Sequence, residues 1–205
     1  MASTTPSTKN RGKSAKKDSS GGNRTLGLVL AGFTALVIAV IAAVAVFSTL
    51  GGTDTGNFTP NDEGLIPVGE KVPPFTANTV DGGSVSVGGG EAQATMLVFF
   101  ATWCPHCQKE APVISELEGQ YDGLKVVMIG IDGQDNPGKV SEFVEKYEIE
   151  SPAVYEPSLG QKYGVSGYPT IYVLDGSDEV VGAHTGEAPR DVYEGWIGEA
   201  LDSGG

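Results

Sequence analysis

The run ATMLVFF, residues 94–100, is uncharged and contains Val98, Phe99 and Phe100, residues that favour strands. A continuous apolar run of this length reads as a strand covered on both faces. Such a strand needs a layer of structure on either side, which restricts the chain to a few architectures. Its surroundings supply those layers. KVPPFTANTVDGGSVSVGGGE (71–91) suggests short extended pieces joined by glycine turns, a hairpin. Residues 105–120 are helical, with Val113, Ile114 and Leu117 on one side. Pro105 fits the first turn of that helix, and Pro112 should kink it. A strand follows at 125–132, then a helix at 137–149 with Val140, Phe143, Val144 and Tyr147 at helical spacing. Residues 153–167 read as a loop, 169–175 and 179–186 as strands, and 189–203 as a closing helix. The expected class is α/β, a mixed central sheet flanked by helices.

A second run sets the domain organisation. No charged residue occurs from Leu26 to Gly52, and residues 26–50 read LGLVLAGFTALVIAVIAAVAVFSTL. As a helix these 25 residues would span roughly 37 Å at ~1.5 Å per residue, enough to cross a bilayer core of ~30 Å. A cleavable signal has a shorter apolar region of about 7–15 residues. Ala43–Val44–Ala45, which mimics a cleavage site, lies inside the run. No cysteine is near it for lipid attachment. Residues 1–25 carry six basic groups and one acidic group, a net of +5. Beyond residue 50 stand 7 basic and 25 acidic groups, a net of −18. The positive flank is expected in the cytoplasm, with the remainder of the chain on the far side of the membrane. The organisation expected is a disordered basic tail (1–25), a single transmembrane helix (26–50), a flexible linker (51–64) and a folded domain (65–203). An acidic domain would be repelled by phosphates, which argues against nucleic acid as a partner.

Both cysteines of the chain lie in FFATWCPHCQKEAP, residues 99–112. Cys104 follows the buried strand and opens a helix, where the dipole and unpaired N–H groups stabilise a thiolate. Cys107 lies one turn further on, close enough to close a disulfide ring, and Pro105 fixes the backbone between them. His106 could stabilise the thiolate further as an imidazolium. Cys104 is therefore expected to be an exposed nucleophile and Cys107 the resolving thiol. Glu110, three residues after Cys107, could take the proton when Cys107 attacks; the plainer alternative is an exposed helix carboxylate. Other readings of the pair fit less well. A structural zinc site needs four ligands, and the only histidine outside the motif is His184. A copper-delivery site needs a different cysteine spacing. A peroxidatic cysteine needs a hydroxyl three residues earlier, where Ala101 stands. A structural staple across so short a loop would restrict the unfolded chain little.

The tetrapeptide GYPT, residues 167–170, adds a second element. WCPHC after a buried strand, with G-x-P-T before a later strand, resembles the thioredoxin fold. The resemblance implies that Pro169 is cis, that it packs beside the CxxC, and that Tyr168–Pro169 pair with an extended substrate segment. It implies too that Trp103 packs beside the dithiol. The 65-residue spacing from Cys104 to Pro169 and the run C-x-x-C-x-x-E-x-P are similar to the membrane-tethered TlpA/ResA group. That similarity covers roughly residues 65–203 and carries the group's glutamate onto Glu110. Two departures stand out. The position six before Cys104, acidic in plain thioredoxins and often Asn in the TlpA group, is Val98, which cannot act as a base. Pro105–His106 matches the DsbA oxidant, whereas many TlpA/ResA-like proteins carry other pairs. The scaffold thus resembles reductants and the dipeptide an oxidant.

The expected function is extracytoplasmic thiol–disulfide exchange, reducing or oxidising protein disulfides, with cytochrome c maturation among the roles the resemblance implies. No metal, nucleotide or other cofactor is expected, and the partners are client thiols or disulfides and a redox protein that resets the dithiol. A rival of another class is a membrane-tethered binding module in which the CxxC is incidental. His184, Arg190, Asp191, Tyr147, Tyr163 and Tyr172 are expected to serve packing, capping or the surface. If residues 26–50 anchor the chain, the full-length protein will sediment with membranes, resist high salt and alkaline carbonate, and be released by detergent.

Overall fold

A computed structural model describes residues 59–203. The expected tail and membrane anchor lie outside the described residues, and among those residues no helix is long and apolar enough to cross a membrane. The first strands among the described residues form a ribbon of β1 (Phe75–Asn78) and β2 (Ser84–Val87), antiparallel with Phe75 opposite Val87. Its turn uses Gly82 at φ 93°, a conformation open to glycine, and closes with Thr79 N–H donating to Gly83 O at 3.1 Å. The central strand β3 (Ala94–Phe100) is buried at all seven positions, as its composition requires. It leads into α1 (Pro105–Gln120), which continues past an exposed Pro112.

Three strands complete the core of the sheet with β3. They are β4 (Leu124–Gly130), β6 (Thr170–Asp175) and β7 (Val180–Thr185). The expected loop at 153–167 proves to hold two further elements, β5 (Ala153–Tyr155) and α3 (Ser158–Lys162). Three and five residues are too few to show a period. β5 exists because it pairs parallel with β4, Met128 opposite Ala153 and Gly130 opposite Tyr155. The five-stranded order is β5-β4-β3-β6-β7. β3 and β4 run parallel, while β6 and β7 are antiparallel to their neighbours.

Two ends fall short of expectation by more than one residue. β4 stops at Gly130, two residues early; a Cβ there would lie 2.6 Å from Val140 Cγ2. The helix α2 (Pro137–Lys146) is capped by the Asn136 side chain, which accepts from Lys139 N–H at 3.1 Å. It ends three residues early because Glu148 turns to φ 54° and Ile149 N–H folds back onto Val144 O at 3.0 Å. The last helix, α4, spans Arg190–Ser203.

The sheet divides the interior in two. On one side α1, α2 and α4 bring Ile114, Leu117, Val140, Phe143, Tyr193 and Ile197 against Met96, Val98 and Phe100. On the other, the β1–β2 ribbon, α3 and the segment from Leu65 cover Leu97, Phe99, Val127 and Ile129. The segment assigned to the linker is already bound at its end: Thr185 N–H donates to Asn61 O at 2.8 Å, and Asn61 N–H to His184 Nδ1 at 2.6 Å. Farther along, Ile66 N–H donates to Tyr172 Oη at 3.0 Å, and that hydroxyl donates to Tyr163 O at 2.6 Å. Tyr172→Phe leaves both backbone groups without this partner. It should destabilise the domain by about 1–3 kcal/mol, read as a lower urea midpoint at unchanged slope.

Candidate active site

Cys104 is the N-cap of α1, with φ −74° and ψ 120° and no side-chain cap; Pro105, exposed, occupies the first helical turn. The approach to it is tied down at Thr102. Its N–H and hydroxyl both donate to the buried Asp135, at 2.8 and 2.5 Å, and its carbonyl accepts from Gln108 Nε2 at 3.0 Å. The expectation of an exposed nucleophile is corrected here: Cys104 is only 5 % exposed. It sits in the apolar cluster that contains Val98 and Phe100, with Tyr168 packed against that cluster. Its thiol donates to Tyr168 O at 3.6 Å. Both cysteines are free thiols.

The two thiols occupy unlike surroundings. Cys107 is 3 % exposed, and burial pushes its thiol far above the ordinary range. A hydrogen bond from the backbone at Ala101 opposes that rise, while Cys104 and the charge of Glu110 add to it. Glu110 is 4 % exposed, so the alternative of an exposed helix carboxylate is removed. Its Oε1 is buried with no hydrogen-bond partner among the described residues. Burial raises its carboxyl, although the Tyr193 hydroxyl and the Ala188 N–H approach closely enough to counter part of the rise. Val98, fully buried on β3, offers no base. Glu110 is thus the buried carboxyl of this cluster, one helical turn from Cys107.

The Tyr168–Pro169 peptide is cis, as the resemblance implies. Pro169 O accepts from Gly186 N–H at 2.8 Å, which ties the turn to the end of β7. His106 lies on the surface, and its Nδ1 pairs with Glu187 Oε1. Lys109 Nζ reaches the same oxygen at 3.2 Å. The imidazole expected to support the thiolate therefore faces a carboxylate, which the His106 bond first, and Lys109 after it, hold below the usual range. Trp103 is 49 % exposed and meets Tyr168 edge-on at 6.2 Å between ring centres.

Four functional candidates were not singled out in the sequence: Asp132, Asp135, Tyr193 and Glu187. Asp132 Oδ1 accepts from Gln134 N–H at 2.8 Å and Trp103 Nε1–H at 3.1 Å, and Oδ2 from Tyr168 Oη at 3.3 Å. Those bonds, led by the one from Gln134, hold its carboxyl low. Burial first, and the charge of Asp132 after it, raise the Tyr168 hydroxyl. Each of the four is separated in sequence from the cysteines, and no spacing rule marks it. His184 is a packing histidine inside β7, distant in role from the dithiol. Among the described residues no group of three or more His, Cys, Asp or Glu could hold a metal.

A dithiol at the N-terminus of a helix, beside a cis-proline turn and after a doubly covered strand, defines a thioredoxin-like thiol–disulfide oxidoreductase. The chain belongs to the AhpC/TSA family, whose model matches residues 68–183. It is 28 % identical over 159 residues to the thiol-disulfide oxidoreductase ResA of Halalkalibacterium halodurans, covering 77 % of this chain and 89 % of that one. It is 29 % identical over 132 residues to the thioredoxin-like protein YneN of Bacillus subtilis, covering 63 % and 78 %. Among solved structures, a thiol:disulfide interchange protein of the thioredoxin family from Chlorobium tepidum superposes with a TM-score of 0.59 at 26 % identity, over 66 % of this chain and 99 % of that one.

The raised carboxyl of Glu110 has a measurable consequence. A folded-state pKa above the unfolded value costs stability as pH rises from the unfolded carboxyl range toward the folded one. Glu110→Gln carries no such loss. The urea midpoint of the variant minus that of the parent should therefore be larger at pH 7 than at pH 4.

Proposed function

We propose that the domain exchanges thiols and disulfides with proteins on the outer side of the membrane, working as a reductant. Cys104 attacks a client disulfide: a bond forms from its sulfur to one client sulfur, and the other client sulfur leaves as a thiolate. The Cys107 thiol then gives its proton to Glu110 and attacks Cys104 Sγ. The bond from Cys104 to the client breaks, the second client sulfur leaves as a thiolate that takes the proton from Glu110, the Cys104–Cys107 disulfide remains, and two electrons have passed to the client. Tyr168–Pro169 hold the client backbone. The observation that carries this reading is the burial of Cys107 and Glu110 one helical turn apart on α1. A resolving thiol whose proton is held so firmly needs a base at hand, and Glu110 stands one turn away.

The setting of His106 supports the reductant direction. In the oxidant reading its positive charge stabilises the Cys104 thiolate. Here the imidazole Nδ1 is paired with the Glu187 carboxylate, whose negative charge opposes that support. The extracytoplasmic setting rests on the apolar run 26–50 and the basic flank before it. Apocytochrome c thiols, kept reduced before haem attachment, are one client class that the TlpA/ResA resemblance suggests.

The test is the reduction potential of the full-length chain in detergent, equilibrated against glutathione. A value near about −270 mV supports the reductant, and one near about −120 mV makes the protein an oxidant driven by its Pro105–His106 dipeptide. Absence of any reversible dithiol couple would remove the enzyme reading and leave the binding module. In parallel, Cys107→Ala should accumulate a mixed disulfide with a client, and Cys104→Ala should not.

A further inference from the structure

Asp132 lies beyond the end of β4 and takes no part in the exchange steps above. Its carboxylate nevertheless joins the two aromatic residues that flank Cys104. Trp103, immediately before Cys104, donates its indole N–H to Oδ1 at 3.1 Å. Tyr168, immediately before the cis-proline, donates its hydroxyl to Oδ2 at 3.3 Å. The two rings meet edge-on, 88° between planes. The carboxylate is itself fixed: Gln134 N–H donates to Oδ1 at 2.8 Å, and the Asp132 carbonyl accepts from Tyr155 Oη at 3.2 Å. Tyr155 closes the short strand β5, so the anchor is built into the sheet edge. Opposite, Tyr168 O receives the Cys104 thiol, so the residue that Asp132 holds by its ring also holds the reacting sulfur by its backbone.

We propose that Asp132 is a positioning residue that sets the aromatic rim over Cys104 and thereby the preference for extended protein clients over small disulfides. The proposal rests on the thiol–disulfide exchange read above. A protein client must lie along Tyr168–Pro169 and contact the exposed Trp103, so its binding depends on where those two groups stand. A small disulfide needs only to reach the sulfur. Loss of the carboxylate frees the indole and the phenol together, which costs orientation for the first class of substrate and little for the second.

The experiment compares kcat/KM of the full-length chain in detergent for insulin, a protein disulfide, and for oxidised glutathione. In Asp132→Ala the insulin-to-glutathione ratio should fall about tenfold, mostly through a higher KM for insulin. Tyr168→Phe removes only one of the two bonds, a part-buried one, and keeps the ring; it should lower the ratio by a smaller factor. In the Asp132→Ala background it should lower it no further, the mark of residues acting as one unit. A fall of both rates together, with the ratio unchanged, would show that Asp132 supports the fold alone. An equal effect of Tyr168→Phe in both backgrounds would overturn the coupling. A parent chain inert toward both substrates would sink the exchange reading itself, an outcome distinct from an active parent that Asp132→Ala leaves unaltered.

Discussion

Everything at the site depends on how β3 is paired. One edge hydrogen-bonds in parallel to β4 and the other antiparallel to β6. The parallel side brings the end of β4, and so the Asp132–Asp135 loop, to the same end of the sheet as Cys104. The antiparallel side brings the start of β6 there, with Tyr168–Pro169 just before it. Three segments far apart in sequence thus converge at the carboxyl end of one strand. The burial of β3 on both faces pins its register, because a slip of one residue would exchange the two cores. The reacting sulfur inherits its place from that register.

The site combines this rigid delivery with an uneven electrostatic field. Two buried groups, the Cys107 thiol and the Glu110 carboxyl, are both disfavoured in their charged forms, chiefly by burial. The charge of Glu110 adds to the rise of the Cys107 thiol, so both groups favour their protonated forms. Towards solvent the field is different. There His106 and Lys109 both reach the Glu187 carboxylate in an exposed cluster. The dithiol stands between the buried Glu110 carboxyl and this exposed cluster.

Much of this could be read from the residues. The seven buried positions of β3, the start of α1 at Pro105 and its end at Gln120 match the pattern of apolar residues and prolines. β5 and α3 could not be read, because their short runs acquire structure only from the neighbours they pair with. The burial of Cys104 was missed for a similar reason. A helix N-terminus suggests an open face, but Tyr168, 64 residues away, closes over the sulfur. Glu110 was reachable through its spacing from Cys107, whereas its burial depends on Tyr193 of α4. Asp132 and Glu187 carried no local signature at all. Their importance is a matter of which loops the sheet gathers at one edge.

Asn61, bound to the end of β7, sets the point where the chain enters the domain, two residues from Glu187 by way of Thr185. That entrance lies on the same rim as the dithiol. With the anchor proposed at 26–50, only residues 51–60 separate membrane from domain. Ten residues reach at most about 36 Å when fully drawn out. On the proposal of an anchor there, geography would select clients: so short a tether would favour disulfides on proteins at the membrane surface over those drifting freely beyond it.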